Sequence, residues 1–256
     1  MDIFTLKEKV ALIIGGTGKI GSYIAEAFAE KEAKVIVGAR NIKDLEKLKK
    51  SFKKNNLDIE IISLDQSDEK NLKKCAEEIK RLYGTPEILV NSAVSRPMIK
   101  FFDDTVDKWD KSMEINARGL FLTTKIFGNE MAKQKKGSII NVSSIYGLQA
   151  PDMKIYEGSD FETEPDYPYN KGGMIAYSKY LASYFSTKNV RVNVIAPGGV
   201  FDNQNNIFLD KYISKVPLGR MANKEDFKGI SIFLASDASS YITGTVIPLD
   251  GGLTIV

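Results

Sequence analysis

Short runs of β-branched and aliphatic residues recur along the chain and predict β-strands. They cover residues 10–14, 34–38, 59–64, 87–91, 138–142, 190–196 and 245–249. Most of the intervening stretches, such as IGSYIAEAFAEKEA, carry apolar residues at helical spacing. Because strands alternate with helices and are apolar almost throughout, we predict an α/β fold with a doubly wound, mainly parallel sheet. With no linker or repeat, residues 1–256 are expected to form a single domain.

One segment interrupts this alternation. Residues 150–168, APDMKIYEGSDFETEPDYP, contain three prolines and a single lysine, Lys154. The segment also carries six carboxylates: Asp152, Glu157, Asp160, Glu162, Glu164 and Asp166. We predict an acidic surface loop inserted into the domain.

The composition limits the available chemistry. The chain has no histidine, which excludes Ser-His-Asp triads, histidine-zinc sites and imidazole acid–base catalysis. Its single cysteine, Cys75, excludes an internal disulfide and a cysteine-rich metal site, and we predict no metal site. A net charge of +3 is too small to indicate a nucleic-acid partner. Without a membrane-length apolar run or the pattern of a cleavable signal, we expect a cytoplasmic protein with no membrane partner.

The stretch VALIIGGTGKIGSYIAEAF has the pattern of a strand, a glycine-rich turn and an amphipathic helix. Its glycines Gly15, Gly18 and Gly21 lie three apart. Such glycines permit a tight turn and a close approach of the backbone to a pyrophosphate, and a helix N-terminus favours anions. Because the triplet follows a strand and precedes a helix, it indicates a dinucleotide site. The alternative is a tight turn that binds no ligand.

The residues after the second strand bear on which dinucleotide is bound. NAD-selective sites usually carry an acidic side chain there, which binds the ribose 2′-hydroxyl. This chain has Ala39 followed by Arg40, and an arginine suits a 2′-phosphate through paired N–H donors. Lys19, inside the glycine turn, is expected to add positive charge nearby. We therefore predict NADP(H) as the cofactor, with NAD as the alternative.

A tyrosine four residues before a lysine occurs twice in DYPYNKGGMIAYSKYLASYFSTK, as Tyr167–Lys171 and Tyr184–Lys188. Residues four apart share one face of a helix, so each lysine is able to reach its tyrosine. A nearby cation lowers the pKa of a phenol from its usual value near ~10. Each pair is therefore either a proton-transfer pair or an ordinary helix surface.

Further motifs follow in order along nearly the whole chain. They are Asp65 after the third strand, LVNSA (89–93), INARG (115–119), INVSS (140–144), Tyr167–Lys171, NVIAPGG (193–199), PLGRMA (217–222) and FLASDASSYITGTVIPLDGG (233–252). Together with the glycine turn, this order and spacing resemble the short-chain dehydrogenase/reductase superfamily. The resemblance implies a Rossmann-like fold and an NAD(P)-dependent oxidoreductase.

The resemblance also implies the site residues. The catalytic group would be Asn116, Ser144, Tyr167 and Lys171. The cofactor would be bound by Gly15, Thr17, Gly18, Lys19, Ile20, Gly21, Arg40, Asp65, Asn91, Ala93, Pro197, Gly198 and Val200. Tyr167–Lys171 is the chemical pair because it follows the serine strand as the family pattern does, whereas Lys188 lies at a helix end, where cations are favoured anyway. Ser143 is the alternative to Ser144, and a helix bend is the alternative role for Asn116.

In this interpretation Tyr167 protonates a carbonyl oxygen as hydride arrives from the cofactor, and Ser144 hydrogen-bonds that oxygen as charge develops. Lys171 lowers the pKa of Tyr167 and, by family analogy, binds the cofactor ribose. Asn116 supports a proton-relay water by the same analogy. Proline suits the first turn of a helix and disfavours helical geometry in the residue before it, so Pro168 places Tyr167 at a helix entrance.

Several positions depart from the family pattern. Lys19 stands where many members have a glycine, and Asp202 stands where a threonine usually contacts the nicotinamide amide. The acidic segment lengthens the interval between the serine and the tyrosine. Together with a substrate loop at about 200–216, it is expected to flank the mouth of the site. Its carboxylates would disfavour a polyanionic substrate; the alternative is a solvated loop.

We therefore expect an NADP(H)-dependent oxidoreductase that interconverts a secondary alcohol and a carbonyl on a polar, sugar-like small molecule. The stretches SSIYGLQAPDMKIYEG and PGGVFDNQ resemble bacterial members linked to flagellin modification and surface-carbohydrate biosynthesis. The alternatives are an epimerase or dehydratase of an activated sugar that retains its cofactor, and a dinucleotide-binding regulator without turnover. The resemblance also implies a homo-oligomer, a dimer or homotetramer, built through the helix that carries Tyr167 and the helix before it.

Overall fold

Seven strands form one parallel sheet in the structure, a computed structural model that describes residues 2–159 and 162–256. The strands are β1 Val10–Ile14, β2 Lys34–Ala39, β3 Glu60–Ser63, β4 Ile88–Asn91, β5 Gly137–Val142, β6 Val190–Pro197 and β7 Val246–Leu249. Their order across the sheet is β3-β2-β1-β4-β5-β6-β7. Every predicted strand is present, and each end lies within one residue of its predicted position. The predicted Rossmann-like α/β fold is confirmed.

Eight α-helices among the described residues accompany the strands. They are α1 Lys19–Glu30, α2 Ile42–Lys54, α3 Glu69–Tyr83, α4 Val106–Met113, α5 Gly119–Gln134, α6 Asp166–Phe185, α7 Asn206–Ile213 and α8 Lys224–Ala235. Polar residues start several of them: the Asp68 side chain accepts hydrogen bonds from the first free N–H groups of α3, which the helix itself leaves unpaired. Within the described part of the chain, no helix combines the length and apolarity that crossing a membrane requires.

Alternate side chains of each strand face opposite layers of helices. On β1, Ala11 and Ile13 pack in a cluster with Phe28 and other residues of α1, α2 and α8. Leu12 and Ile14 point the other way, into a cluster with residues of α3, α5 and α6. Burying each large aliphatic side chain contributes about 1.5–3 kcal/mol to stability. Burial on both faces explains why the strands are apolar almost throughout.

The direction of winding changes at β1, which pairs with β2 on one side and β4 on the other. In open α/β sheets this arrangement leaves a crevice at the carboxyl ends of the strands, between the loops that follow them. The glycine turn after β1 and the segment after β4 meet there.

The described part of the acidic segment is packed on the substrate loop. Ile155 and Tyr156 are buried in a cluster with Phe208 and Tyr212 of α7. The Tyr156 and Phe208 rings stack with their centroids 5.4 Å apart. The solvated-loop alternative is therefore wrong for this part of the segment, because its apolar residues anchor it to α7.

The carboxylates of this segment are dispersed. Asp152 pairs with Lys215, and Glu157 lies 3.7 Å from the ammonium of Lys211. The side chains of Glu164 and Asp166 are buried, and Glu162 is exposed, while Asp160 lies outside the described residues. The expected row of free carboxylates at the mouth of the site is thus not formed by the described residues, because lysines of the substrate loop neutralise two of them.

Candidate active site

The glycine turn after β1 is compact because its glycines lie against neighbouring backbone. A Cβ on Gly15 would lie 2.4 Å from the Ala93 nitrogen, and one on Gly21 would lie 2.4 Å from the Gly15 carbonyl oxygen. Helix α1 then begins with no side-chain cap from Gly18 and no acidic residue in its first turn. Its first N–H groups and the positive end of its dipole suit an anion at this turn.

A cavity of about 320 Å³ lies beside this turn, at the carboxyl ends of the strands. It is lined by six of the predicted cofactor residues: Gly15, Thr17, Gly18, Arg40, Asp65 and Ala93. The Asp65 carboxylate accepts hydrogen bonds from the Ser67 backbone N–H at 2.9 Å and from its hydroxyl at 2.8 Å. Arg40 is exposed and has no ion-pair partner among the described residues. Its guanidinium is therefore available to a ligand.

Asn91 does not line this cavity; its neighbours Ser92 and Ala93 do. The Asn91 side chain is buried, donates to the Asn141 side-chain oxygen at 2.8 Å and accepts from the Thr123 hydroxyl at 3.1 Å. Both ends of the Asn91 amide therefore join β4 to β5 and α5, and contact of Asn91 with the cofactor stays a prediction.

Lys19 also departs from its predicted role. Its ammonium forms an ion pair with Asp202 and donates to the Phe201 carbonyl oxygen at 3.1 Å. It is therefore turned toward the substrate loop, and it does not line the cavity that contains Arg40. In this structure Asp202 balances the charge of Lys19, which therefore does not add to that of Arg40, and contact of Lys19 with the cofactor stays a prediction.

A second cavity, of about 350 Å³, lies beside β5 and β6. Ser144 and Tyr167 both line it, and so do four more of the predicted cofactor residues, Ile20, Pro197, Gly198 and Val200. The structure thus brings the predicted serine and tyrosine together at the end of the crevice where the strands β5 and β6 terminate.

Tyr167 is the second residue of α6, so its position at a helix entrance is confirmed. Removal of water raises the pKa of its phenol. The Ser144 hydroxyl and the charge of Arg96 act in the opposite direction. The guanidinium carbon of Arg96 lies 4.3 Å from the centre of the Tyr167 ring.

Lys171 lies one turn further along α6 and is buried, with 5% of its surface exposed. Its ammonium donates to the Val142 carbonyl oxygen at 2.7 Å and lies 5.6 Å from the centre of the Tyr167 ring. Burial, and secondarily the charge of Arg96, lowers the pKa of Lys171 to about 8. With this pKa the Lys171 ammonium is still mostly charged at neutral pH, and its effect on the pKa of Tyr167 stays a prediction.

The two serines after β5 have different partners. The Ser143 hydroxyl donates to the Lys171 carbonyl oxygen at 2.8 Å and so ties β5 to α6. The Ser144 hydroxyl oxygen accepts the Tyr146 N–H at 3.1 Å and acts on the Tyr167 phenol. The geometry favours Ser144 over Ser143 as the serine that contacts a substrate.

The burial of Lys171 predicts a pH-dependent stability. A lysine normally titrates near ~10.4 in an unfolded chain. Between about pH 8 and that value the unfolded chain holds more protons than the folded one, so stability rises with pH. We expect the unfolding free energy of the wild type, relative to Lys171→Met, to rise by about 2–4 kcal/mol across this window. Guanidinium chloride unfolding without nucleotide measures it.

The matched control is Lys188→Met, which removes the exposed lysine of the second tyrosine–lysine pair. Its unfolding free energy should follow that of the wild type across the same pH range. Parallel curves for the wild type and Lys171→Met would show that Lys171 is not desolvated in the folded protein.

Asn116 lies in a π-helical turn, Glu114–Arg118, that joins α4 to α5. Its side-chain oxygen accepts the Ser95 N–H at 2.8 Å, and its NH₂ donates to the Ser95 carbonyl at 2.7 Å and to the Ser112 hydroxyl at 3.0 Å. Ser112 in turn donates to the buried Asp166 carboxylate at 2.5 Å. Asn116 therefore marks a helix irregularity and also fixes the segment after β4, and it does not line either cavity.

Tyr184 and Lys188 lie at the other end of α6. Both are exposed, with 65% of the Tyr184 surface accessible, and both line a groove formed with α3 and α5. Neither lines the cavities described above. Of the two pairs, Tyr167–Lys171 is the one whose tyrosine lines a cavity together with Ser144.

Sequence reasoning missed Arg96, which lines the same cavity as Ser144 and Tyr167. It follows β4 by five positions in NSAVSRP and belongs to no motif. The only sequence signal is a basic residue in the loop after a central strand, where ligand-binding side chains of α/β sheets collect.

These features test the fit of a dinucleotide. The two cavities lie at either end of the glycine turn, one with a guanidinium and a fixed carboxylate, the other with a serine and a phenol. The turn between them has no room for side chains on Gly15 or Gly21 and presents uncapped helix N–H groups. The residues therefore fit a pyrophosphate-linked dinucleotide whose reactive ring lies toward Tyr167.

Comparison with known proteins agrees with this geometry. A family model described as enoyl-(acyl carrier protein) reductase matches residues 16–254. One curated relative is 3-oxoacyl-(acyl-carrier-protein) reductase FabG of Thermotoga maritima, which is 33% identical over 98% of this chain and 99% of its own length. Another is post-translational flagellin modification protein A of Campylobacter coli, which is 30% identical over 96% of this chain and 98% of its own length.

Two solved structures cover nearly the whole chain. A gluconate 5-dehydrogenase from Burkholderia cenocepacia, in complex with NADP and tartrate, has a TM-score of 0.89 and 26% identity, covering 100% of this chain and 98% of its own. A short chain dehydrogenase from Leptospira borgpetersenii with bound NAD⁺ has a TM-score of 0.85 and 33% identity, covering 98% and 94%. The fold, the arrangement of the site and these likenesses agree: the chain belongs to the short-chain dehydrogenase/reductase superfamily of NAD(P)-dependent oxidoreductases.

Proposed function

We propose that the protein is an NADP(H)-dependent oxidoreductase that interconverts a secondary alcohol and a carbonyl on a small, polar, sugar-like substrate. The observation that carries this proposal is the placement of Ser144 and Tyr167 on one small cavity, with Lys171 buried directly behind the phenol. This is the arrangement that proton transfer to a carbonyl oxygen requires.

The nicotinamide, when bound, supplies or accepts the hydride. Tyr167 then gives its phenolic proton to the substrate oxygen in reduction and takes it back in oxidation. The Ser144 hydroxyl donates a hydrogen bond to the same oxygen as negative charge grows on it. Lys171 holds the end of β5 through the Val142 carbonyl and favours the phenolate by its charge. Asn116 keeps the Ser95–Arg96 segment in place through its two bonds to Ser95.

The preference for NADP(H) rests on Arg40 alone. Its guanidinium is exposed on the cavity beside the glycine turn and has no ion-pair partner among the residues described. A planar guanidinium suits the 2′-phosphate through two parallel N–H donors. Lys19 adds nothing to this preference, since it is paired with Asp202.

The sugar-like substrate is supported by polar side chains in the lining of the catalytic cavity, among them Tyr146, Thr163 and Gln204, which stand beside apolar ones such as Phe208 and Met221. The names of a gluconate 5-dehydrogenase and a flagellin modification protein among the similar proteins point the same way. Acyl-carrier-protein reductases also occur among them. The polar side chains of the lining suit a sugar-like substrate better than a long acyl chain. We therefore propose a role in carbohydrate biosynthesis, such as flagellin modification.

Two measurements test the proposal. Titration with NADPH and with NADH, followed by nicotinamide fluorescence, should give the lower dissociation constant for NADPH. A panel of keto sugars, keto acids and acyl carbonyls should then show substrate-dependent loss of the reduced-nicotinamide absorbance. Conversion of an activated sugar without net NADPH consumption would favour the epimerase alternative. Binding of neither nucleotide would refute the proposal.

We also propose that the protein is a homo-oligomer assembled through α5 and α6. Exposed residues of α6 lie on one face, with Gly173 and Ala176 followed by Tyr180 and Tyr184. Phe121 of α5 is also half exposed beside them. Small residues permit close helix approach, and exposed aromatic residues on one face are typical of an interface.

Ala176→Glu should therefore convert a dimer or tetramer into a smaller species, because a buried unpaired charge is costly at such a face. Light scattering after gel filtration measures the mass. Ser51→Glu, which adds the same single charge at an exposed position of α2, serves as the control. A wild-type monomer would contradict the proposal.

A further inference from the structure

Arg96 occupies a position in the catalytic cavity that the motifs do not account for. The segment after β4 carries it there, and Asn116 fixes this segment through Ser95. Its guanidinium carbon lies 4.3 Å from the centre of the Tyr167 ring, in the cavity that Ser144 and Tyr167 line. Any substrate whose oxygen meets these two hydroxyls will therefore lie close to this cation.

The N–H donors of Arg96 have no acceptor among the described residues of the protein. The side chain is exposed, and within residues 2–159 and 162–256 it has neither an ion pair nor a hydrogen bond. Arg220, in contrast, places two nitrogens on Asp226 at 2.6 and 2.8 Å. The contact with the Tyr167 ring uses the charge of the guanidinium rather than its N–H groups. Arg96 is therefore held in place with its donors available.

The charged residues around Arg96 favour a ligand with one negative charge over a ligand with two. Glu164 is buried, with 5% exposed, and neither of its carboxylate oxygens has a hydrogen-bond partner. Burial and the carboxylates of Glu162, Asp104 and Asp166 raise the pKa of Glu164, while Arg96 acts in the opposite direction. Lys19 does not line the cavity, and its charge is balanced by Asp202, which does. Among the described residues that line the cavity, Arg96 is the one cation and Asp202, paired with Lys19, is the one carboxylate, so a dianionic phosphate would have a single cation to bind it.

We propose that Arg96 binds the carboxylate of the substrate, so that the substrate class is a small hydroxy acid and its oxo acid. A planar guanidinium matches a carboxylate through two parallel N–H···O bonds. The volume of the cavity, about 350 Å³, suits a molecule of a few carbons. This inference rests on the proposed function, because it names the substrate of the same site.

Three matched probes test the inference: D-gluconate, D-sorbitol and sorbitol 6-phosphate. They share a six-carbon polyol chain and differ in carrying a carboxylate, no charge or a phosphate. Each is titrated into the complex of the protein with NADPH, followed by nicotinamide fluorescence, and each is assayed for turnover with NADP⁺. The wild type should bind gluconate about 10- to 100-fold more tightly than sorbitol.

Arg96→Gln should remove this difference, because the amide keeps polarity and loses the charge. It should weaken gluconate binding by about 10- to 100-fold and change sorbitol binding far less. Arg96→Lys, which keeps the charge without the planar fork, should fall between them. Arg81→Gln, an exposed arginine of α3 outside both cavities, is the control.

Several results would overturn the inference. They are equal binding of gluconate and sorbitol by the wild type, tighter binding of sorbitol 6-phosphate than of gluconate, binding of none of the three, and an equal loss for gluconate and sorbitol in Arg96→Gln. The last result would mean that Arg96 only positions Tyr167. The proposed function fails separately, if the wild type binds neither NADPH nor NADH.

Discussion

Replacement of Tyr167 by phenylalanine is expected to lower kcat by about 10²- to 10⁴-fold, the usual contribution of a positioned general acid. The substitution removes only the phenolic hydroxyl. The ring remains to pack against the guanidinium of Arg96 and against Tyr146, whose ring centroid lies 6.4 Å away. Binding of NADPH should therefore persist while proton transfer to the substrate is lost. Steady-state kinetics at saturating NADPH, with a parallel fluorescence titration of the nucleotide, separate the two effects.

The chain supplies its own control in the second tyrosine–lysine pair. Tyr184→Phe makes the same chemical change at the other end of α6, where the side chain is 65% exposed and outside both cavities. Its kcat should equal that of the wild type. A Tyr167→Phe variant that keeps the wild-type rate would remove the basis of the proposed chemistry, and an equal loss in both variants would point to a general effect on α6.

Arg40→Asp is expected to reverse the preference between the two nucleotides, changing the ratio of kcat/KM for NADPH to that for NADH by about 10²- to 10³-fold. The arginine offers paired donors to a 2′-phosphate. An aspartate repels that phosphate and accepts a hydrogen bond from the 2′-hydroxyl of NADH. Because Arg40 has no ion-pair partner among the described residues, its loss leaves no protein carboxylate unpaired.

Lys43→Asp separates this effect from a change in net charge. Lys43 is exposed on α2, three positions from Arg40, and does not line the cavity beside the glycine turn. Lys43→Asp should leave the ratio of kcat/KM for NADPH to that for NADH unchanged. If Arg40→Asp also left it unchanged, the assignment of NADP(H) would have no remaining support in this structure.

The strands and the glycine turn could be predicted from the sequence because the forces that form them are local. Continuous β-branched runs such as VALII give a strand that is buried on both faces, and glycine at position 15 is required by a positive φ of 80° and by the nearby Ala93 backbone. The sequence also allows Ser144 to be preferred to Ser143, because neighbouring residues at the end of a strand point to opposite sides of the sheet.

The remaining features depend on residues that are distant in sequence. The partner of Lys19 lies on the substrate loop, where Phe201 is 182 positions away, and no local pattern indicates it. The role of Arg96 depends on the path of the loop after β4. The charges of the acidic segment predict a surface loop, whereas its position is set by Ile155 and Tyr156, which pack on α7. Asn91 occupies a motif position, yet its amide serves the core.

The ion pair between Lys19 and Asp202 joins two positions that each depart from the family pattern. Because each charge neutralises the other, either residue exchanged singly for the common family type would leave an unbalanced charge at the entrance to the crevice. Natural relatives should therefore carry both or neither. Any effort to transplant a nucleotide preference or a substrate loop between members would have to move the two residues as one unit.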